Sequence, residues 1–195
     1  MLGTAAVAMW WDVAPEVRTE WEEWHTREHM PERLAIPGFL RGTRWISSNS
    51  YFVMYELDSP ATLTGAAYLE RLNNPTPWSR KMMPHHRNMV RSLCRVREGY
   101  GGGIANAMVT VRLSGKIALP RGKGLTGVHL LEAQPMAGVP QTTEQEIRGG
   151  DATADWILLI GGYDEEPVKK HTPPEGVVGF YRLAYSLMPK ERPPQ

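Results

Sequence analysis

The sequence predicts an α+β fold in which two four-stranded units of one chain close face to face into an eight-stranded barrel. Three observations predict it. Residues 1–98 alternate strand-like and helix-like runs in the order β-α-β-β-α-β. Residues 106–189 hold four strand-like runs with little helical signal between them. A glycine-rich joint at 99–105, carrying Gly99-Tyr100-Gly101-Gly102-Gly103, separates the two. The chain has 195 residues, 42% apolar and 22% charged. That is ordinary globular composition and excludes disorder, collagen and coiled coil.

Residues 5–11 (AAVAMWW) read as a short buried strand. Pro15 suits the first turn of a helix and Glu16 suits its positive end. That helix runs from about Pro15 to about Leu34, with Val17, Trp21, Trp24 and Glu28 on one stripe, and Pro37-Gly38 stops it. Strands at 39–47 and 51–57 follow, turned by Ser48-Asn49-Ser50. Ser59-Pro60 starts a second helical region with Tyr68, Leu69 and Leu72 on its apolar side. Asn73-Asn74-Pro75-Thr76-Pro77 breaks it. Helix resumes from Trp78 to about Met89, carrying His85 and His86, and Ser92–Arg97 is the fourth strand. This order is the ferredoxin-like split unit.

In the second half the runs Ala107–Leu113, Gly127–Ala133, Trp156–Tyr163 and Val177–Leu187 read as strands of a second such unit with eroded helices. Each sheet then has one face under helices and one bare apolar face, and pairing the bare faces buries both. The tail at 190–195 reads as loose.

Several function classes drop out. Lys plus Arg is 22 against 21 for Asp plus Glu, a net charge of +1 shared evenly along the chain, so no basic block exists for nucleic acid. No apolar run is long enough to span a bilayer. The one cysteine, Cys94, excludes an intrachain disulfide and reads as a small core residue. The first residues lack the charge pattern of a signal peptide, which leaves a cytoplasmic location as the expectation. Neither a G-x-G-x-x-G or Walker loop nor a G-x-S-x-G element is present.

Six of the seven tryptophans and four of the six histidines lie in the first half. His25 and His29 are four residues apart, one above the other on a helix, and Arg33 continues the row. Trp21 precedes His25 by one turn, so the row borders the apolar stripe. An imidazole there is half desolvated, and its pKa can be tuned for general base work. The bland alternative is ordinary surface pairing of Glu28, Glu32 and Arg33, with His25 packed on Trp21. A metal site is a rival, because His25 and His29 have the spacing of two helix ligands. The H-E-x-x-H element is not matched, however, and a third ligand would have to come from His85, His86 or Glu32. His129 sits between apolar neighbours on a strand and is expected to face outward, and His171 lies in a solvated loop.

The stretch WHTREHMPERLAIPGFLR, residues 24–41, resembles the first helix and second strand of the dimeric α+β barrel superfamily, and within it the EthD-like proteins. The matching elements are the H-x-P of His29-Met30-Pro31, Pro37-Gly38, and the aromatic strand from Phe39 to Trp45. Residues 68–78 are similar to the second helix of bacterial relatives. The likeness covers residues 5–97, and 106–188 in architecture only. It implies a small-molecule enzyme with a pocket between sheet and helices. The superfamily spans cofactor-free monooxygenases, isomerases, polyketide cyclases, decarboxylases, dehydratases and haem proteins. The second half lacks an H-x-P helix, which implies one site per chain. The expected function is a cofactor-independent lyase or isomerase acting on an aromatic or carbonyl-bearing molecule. His29 is its general base, with His25 and Arg33 beside it. Trp24, Arg44, Trp45, Tyr51, Trp78 and His86 are the expected substrate-binding residues, with no metal. A monooxygenase, a metal or haem enzyme of the same barrel, and a non-catalytic ligand-binding barrel are the alternatives. A homodimer is expected from superfamily habit.

Overall fold

Alternation along each strand decides where every side chain goes, and the sheet closes on itself. In a computed structural model that describes residues 1–135 and 142–190, the strands are β1 Ala5–Asp12, β2 Phe39–Ser47, β3 Ser50–Leu57, β4 Arg87–Tyr100, β5 Ala107–Leu113, β6 Leu125–Ala133, β7 Trp156–Gly162 and β8 Val177–Leu187. They form one closed barrel in the order β1-β3-β2-β8-β5-β7-β6-β4, and every pairing is antiparallel. Within each half the spatial order is fourth-first-third-second, the ferredoxin-like arrangement. The seams between halves are β2–β8 and β4–β6. Closure leaves no free strand edge.

The lumen is the shared core. Ala6, Ala8, Trp10, Trp45, Phe52 and Met54 of the first half meet Met108, Leu131, Ile157 and Leu159 of the second. Phe52 stacks between Trp10 and Trp45, with ring centroids 5.0 and 5.3 Å away. Cys94 lies here too, where burial pushes its thiol up to about 12, so it is a packing residue. His129 corrects the sequence reading. Its neighbours Val128 and Leu130 face the outer layer of the second half, and the imidazole therefore points inward.

The outer face of the first half is covered by helices. The path from Pro15 to Leu34 is helical throughout but not uniform. A 3₁₀ turn at Pro15–Val17 leads into α1 (Arg18–Trp24), a π turn at His25–His29 and α2 (Met30–Leu34). Gly38, at φ 92°, turns the chain into β2 in a conformation that favours glycine. Gly42 on β2 serves a close approach. A Cβ there would lie 2.9 Å from the Tyr55 ring and 3.1 Å from Met30, so the bare backbone is what lets α2 settle on the sheet. Helices α3 (Ala66–Asn73) and α4 (Pro77–Met82) complete this layer. The helix expected to run on to Met89 ends at Met82. Pro84 has no N–H to continue the ladder, a 3₁₀ turn at Met83–His85 follows, and His86 is already extended.

In the second half no helix lies between β5 and β6. Two short helices lie elsewhere, α5 (Thr143–Arg148) between β6 and β7, and α6 (Glu165–Lys170) between β7 and β8. Val168 of α6 packs on its own sheet with Val109, Val111, Leu158 and Ile160. Helix α5 does not cover its own half. It packs on α3 and on the Met83–His85 turn, over the helical layer of the first half. The tail beyond Lys190 lies outside the described residues. No helix of the described residues is long and apolar enough to cross a membrane.

Candidate active site

The site begins with a proline. Pro31 cannot donate to the carbonyl four residues back, and its ring crowds that carbonyl. The helix widens just before it, and the N–H of Met30 bonds instead to the carbonyl of His25 five residues earlier. Such π turns place side chains off the 3.6-residue rows. Here the widened turn is the segment His25–His29, and it brings both histidines onto the sheet with ring centroids 5.5 Å apart.

Around them is an aromatic cluster that fixes the ring planes. Trp21 stacks on His25 at 4.8 Å, and Trp24 lies 4.5 Å from His29. Trp11 meets His86 edge-on at 4.8 Å. The Nη1–H of Arg44 donates to His25 Nδ1 at 3.3 Å, and its Nη2 donates to Thr26 Oγ1 at 3.1 Å. The first bond makes His25 the Nε2–H tautomer and keeps it neutral. Burial, followed by the charges of Arg44, His86 and Arg33, holds its pKa well below the ordinary histidine range. His86 donates from Nδ1 to the Met83 carbonyl at 2.9 Å. Tyr51 donates to Glu22 at 2.7 Å, and Trp24 donates to Glu28 and Ser79, each at 3.2 Å. The atoms named in these bonds are satisfied.

Six buried polar atoms of this layer have no partner among the described residues: Trp11 Nε1, Trp21 Nε1, Arg44 Nε, and three that share one cavity. His29 Nδ1, Arg33 Nη1 and Tyr55 Oη are sealed from solvent and have no hydrogen-bond partner among the described residues. All three residues line one cavity of about 40 Å³ between β1, β3 and the covering helices, together with Tyr68, Arg91, Glu144 and Arg148. Part of the His29 residue remains exposed, but its Nδ1 is buried and the residue lines this cavity. Burial first, then the Arg33 guanidinium, with the neighbouring His25 and His86 rings and Arg148 adding to it, hold the His29 pKa well below the ordinary range, so the ring is neutral. Neutral imidazole in the Nε2–H tautomer offers Nδ1 as a proton acceptor.

Arg33 is 4% exposed and its partner Glu144 is 3% exposed. Its Nη2 donates to Glu144 Oε1. Glu144 belongs to α5, so the second half supplies the counter-charge of the first half's arginine. The other Glu144 oxygen lies 3.8 Å from Arg148, which is paired in turn with Asp151 at 2.9 Å. The chain Arg33–Glu144–Arg148–Asp151 ties α5 to the site. A capping box at Thr142 and Gln145 starts that helix. Arg91 donates to Tyr68 at 2.6 Å on the cavity wall. A larger open cleft, about 630 Å³, shares Arg91 with the cavity.

The structure brings His29, His25, Arg33, Arg44, Trp24, Tyr51 and His86 into one layer. It does not bring Trp45 there. Trp45 follows Arg44 directly on β2, so the two point to opposite faces, and Trp45 donates to the Ala105 carbonyl in the lumen at 3.2 Å. Trp78 is half-buried at the rim of the layer and does not line the cavity. Sequence reasoning missed Tyr55, Glu144 and Arg148. Tyr55 was within reach, because alternation puts residues 51, 53 and 55 on one face. For Glu144 the signal passed over was the Thr142–Gln145 capping box, which marks a helix start and does not say where the helix docks. Among the described residues no three His, Cys, Asp or Glu side chains converge as a metal-binding set.

No family model matches the chain, and no curated protein matches it. Solved structures do. A protein described as anthrone oxidase-like superposes with a TM-score of 0.58 at 11% identity, covering 96% of this chain and 94% of that one. A candidate monooxygenase of Fusobacterium nucleatum superposes with a TM-score of 0.51 at 9% identity, covering 94% and 93%. The likeness is one of fold: the fused α+β barrel.

Proposed function

We propose that this chain is a small-molecule enzyme in which His29 is the general base and Arg33 and Tyr55 hold the oxygen that gains charge. The observation that carries this reading is the convergence of three unpartnered buried groups on one cavity. Buried polar groups are normally paired, and three open ones meeting in one cavity call for a water, an ion or a ligand there. A carbonyl compound fits their chemistry. Its oxygen accepts from Arg33 Nη1 and Tyr55 Oη, and a C–H beside the carbonyl gives its proton to His29 Nδ1. The electron pair of that bond moves to the oxygen as an enolate, which fixed donors in a dry site stabilise strongly. Return of the proton to another carbon makes the step an isomerisation, and expulsion of a leaving group makes it a lyase reaction.

The names of the similar structures favour a second reading with the same first step. A carbanion formed at a CH₂ group can meet dioxygen, leaving one oxygen on carbon as a carbonyl and the other as water. The EthD-like resemblance of residues 24–41 is compatible with either outcome. A pairing of copies is a further proposal, with the exposed Val177, Val178 and Phe180 of β8 as the apolar surface it would use.

The test is deuterium incorporation. A panel of enolisable carbonyl compounds is incubated with the protein in D₂O and read by NMR, with and without dioxygen. Protein-dependent exchange that needs no oxygen supports the lyase or isomerase reading. Consumption of oxygen with a new carbonyl supports the second. Binding of panel members without exchange or oxygen uptake points to a binding barrel instead.

A further inference from the structure

We propose that the cavity of His29, Arg33 and Tyr55 is a carboxylate site that takes the head of a short, ring-free organic acid. The inference rests on the functional reading above and names its substrate class. Size comes first. The cavity is about 40 Å³, room for about three water-sized groups at the roughly 10–15 Å³ that each needs. A dry apolar cavity that accepts benzene needs about 150 Å³. An aromatic ring, and still more a fused ring system, does not fit, whereas a group of three heavy atoms does. The aromatic part of the expected substrate range therefore falls away and the carbonyl part stays.

Charge comes second. Arg33, Arg91 and Arg148 line the cavity against one carboxylate, Glu144. Glu144 uses one side of the Arg33 guanidinium, and Arg33 Nη1 remains open on the other. Guanidinium is a planar fork suited to carboxylate, and here Glu144 holds the fork still. Tyr55 Oη adds a second donor from β3, and its phenol stays protonated because burial raises its pKa. One oxyanion thus satisfies two of the three orphaned atoms. It also offsets the Arg33 charge that depresses His29, which makes Nδ1 a better base when the site is filled.

The probes are sodium formate, neutral formamide and sodium benzoate, titrated into the whole protein at constant ionic strength set with NaCl. NMR follows the ring signals of His29 and Tyr55. Formate is expected to saturate these signals with a Kd of about 1 mM or weaker, the limit for so small a ligand. Formamide and benzoate are expected to bind at least about tenfold more weakly. Tyr55→Phe removes only an unpaired hydroxyl, so it is expected to fold as the parent does and to weaken formate about tenfold or more. No formate shift at 100-fold this concentration (about 100 mM), benzoate binding as well as formate, or unchanged formate affinity in Tyr55→Phe would each overturn the proposal. Formate binding without any His29-dependent exchange keeps the carboxylate site and removes the base. Exchange without formate binding removes the carboxylate site alone.

Discussion

His29→Ala is expected to lower turnover by about 10²–10⁴-fold, the usual contribution of a positioned general base. The melting temperature is expected to change little, because His29 Nδ1 makes no hydrogen bond that the fold would lose. What goes is its packing against Trp24. His25→Ala is expected to show the reverse balance. Its Nδ1 accepts from Arg44, a group 5% exposed, and its ring stacks on Trp21. Truncation leaves the buried guanidinium short of an acceptor, which costs stability, while the base itself stays in place. Steady-state kinetics and thermal melts on the two variants check the contrast. Equal activity of His29→Ala and the parent on a true substrate would remove His29 from the chemistry.

Glu144→Ala is expected to lower the unfolding free energy by about 3–5 kcal/mol. Removing one partner of a buried ion pair leaves the other charge uncompensated, and that is the usual size of the effect. Against a typical stability of about 5–15 kcal/mol, the loss is a large share. Arg33 at 4% exposure cannot turn its charge to water in place. Arg148, 3.8 Å from the same carboxylate, loses a second neighbour. Adding Arg33→Met to Glu144→Ala is expected to recover part of the loss, since the uncompensated charge is then gone. Urea unfolding at unchanged slope measures both. A loss below about 1 kcal/mol for Glu144→Ala would show that α5 does not seal Arg33 in solution.

The fold was legible because it is written in short-range patterns. Short apolar or alternating runs gave all eight strands, and β5 and β8 fell on the expected residues. Pro37-Gly38 stopped the helix as expected, with Gly38 in the left-handed region. The site was legible only in its local part. His29 and Arg33 follow from one helix, and His29-Met30-Pro31 is the element that widens it. The sequence reading assumed a uniform helix and so missed the π turn, which depends on how Pro31 crowds the preceding carbonyl. Trp45 was misplaced by grouping it with Arg44, although adjacent strand residues face apart. Glu144 was out of reach for a different reason. It meets Arg33 across 111 positions of chain, through a helix that docks on the other half of the molecule. No periodicity encodes such a contact.

The proposed chemistry requires a neutral His29 that presents Nδ1 to the cavity. Titration of its ring nitrogens by ¹⁵N NMR tests that most directly, with the signal assigned by its loss in His29→Gln. The ring is expected to be neutral at pH 8, with its proton on Nε2, and to take up a second proton only well below the ordinary histidine range. The sign follows from burial and the surrounding cations, which lower its pKa. An unfolded histidine takes up its proton near pH 6.5. Stability is therefore fully present above that value and falls as pH drops below it, while the native ring stays neutral. A midpoint near 6.5, or a proton on Nδ1 at pH 8, would contradict the account.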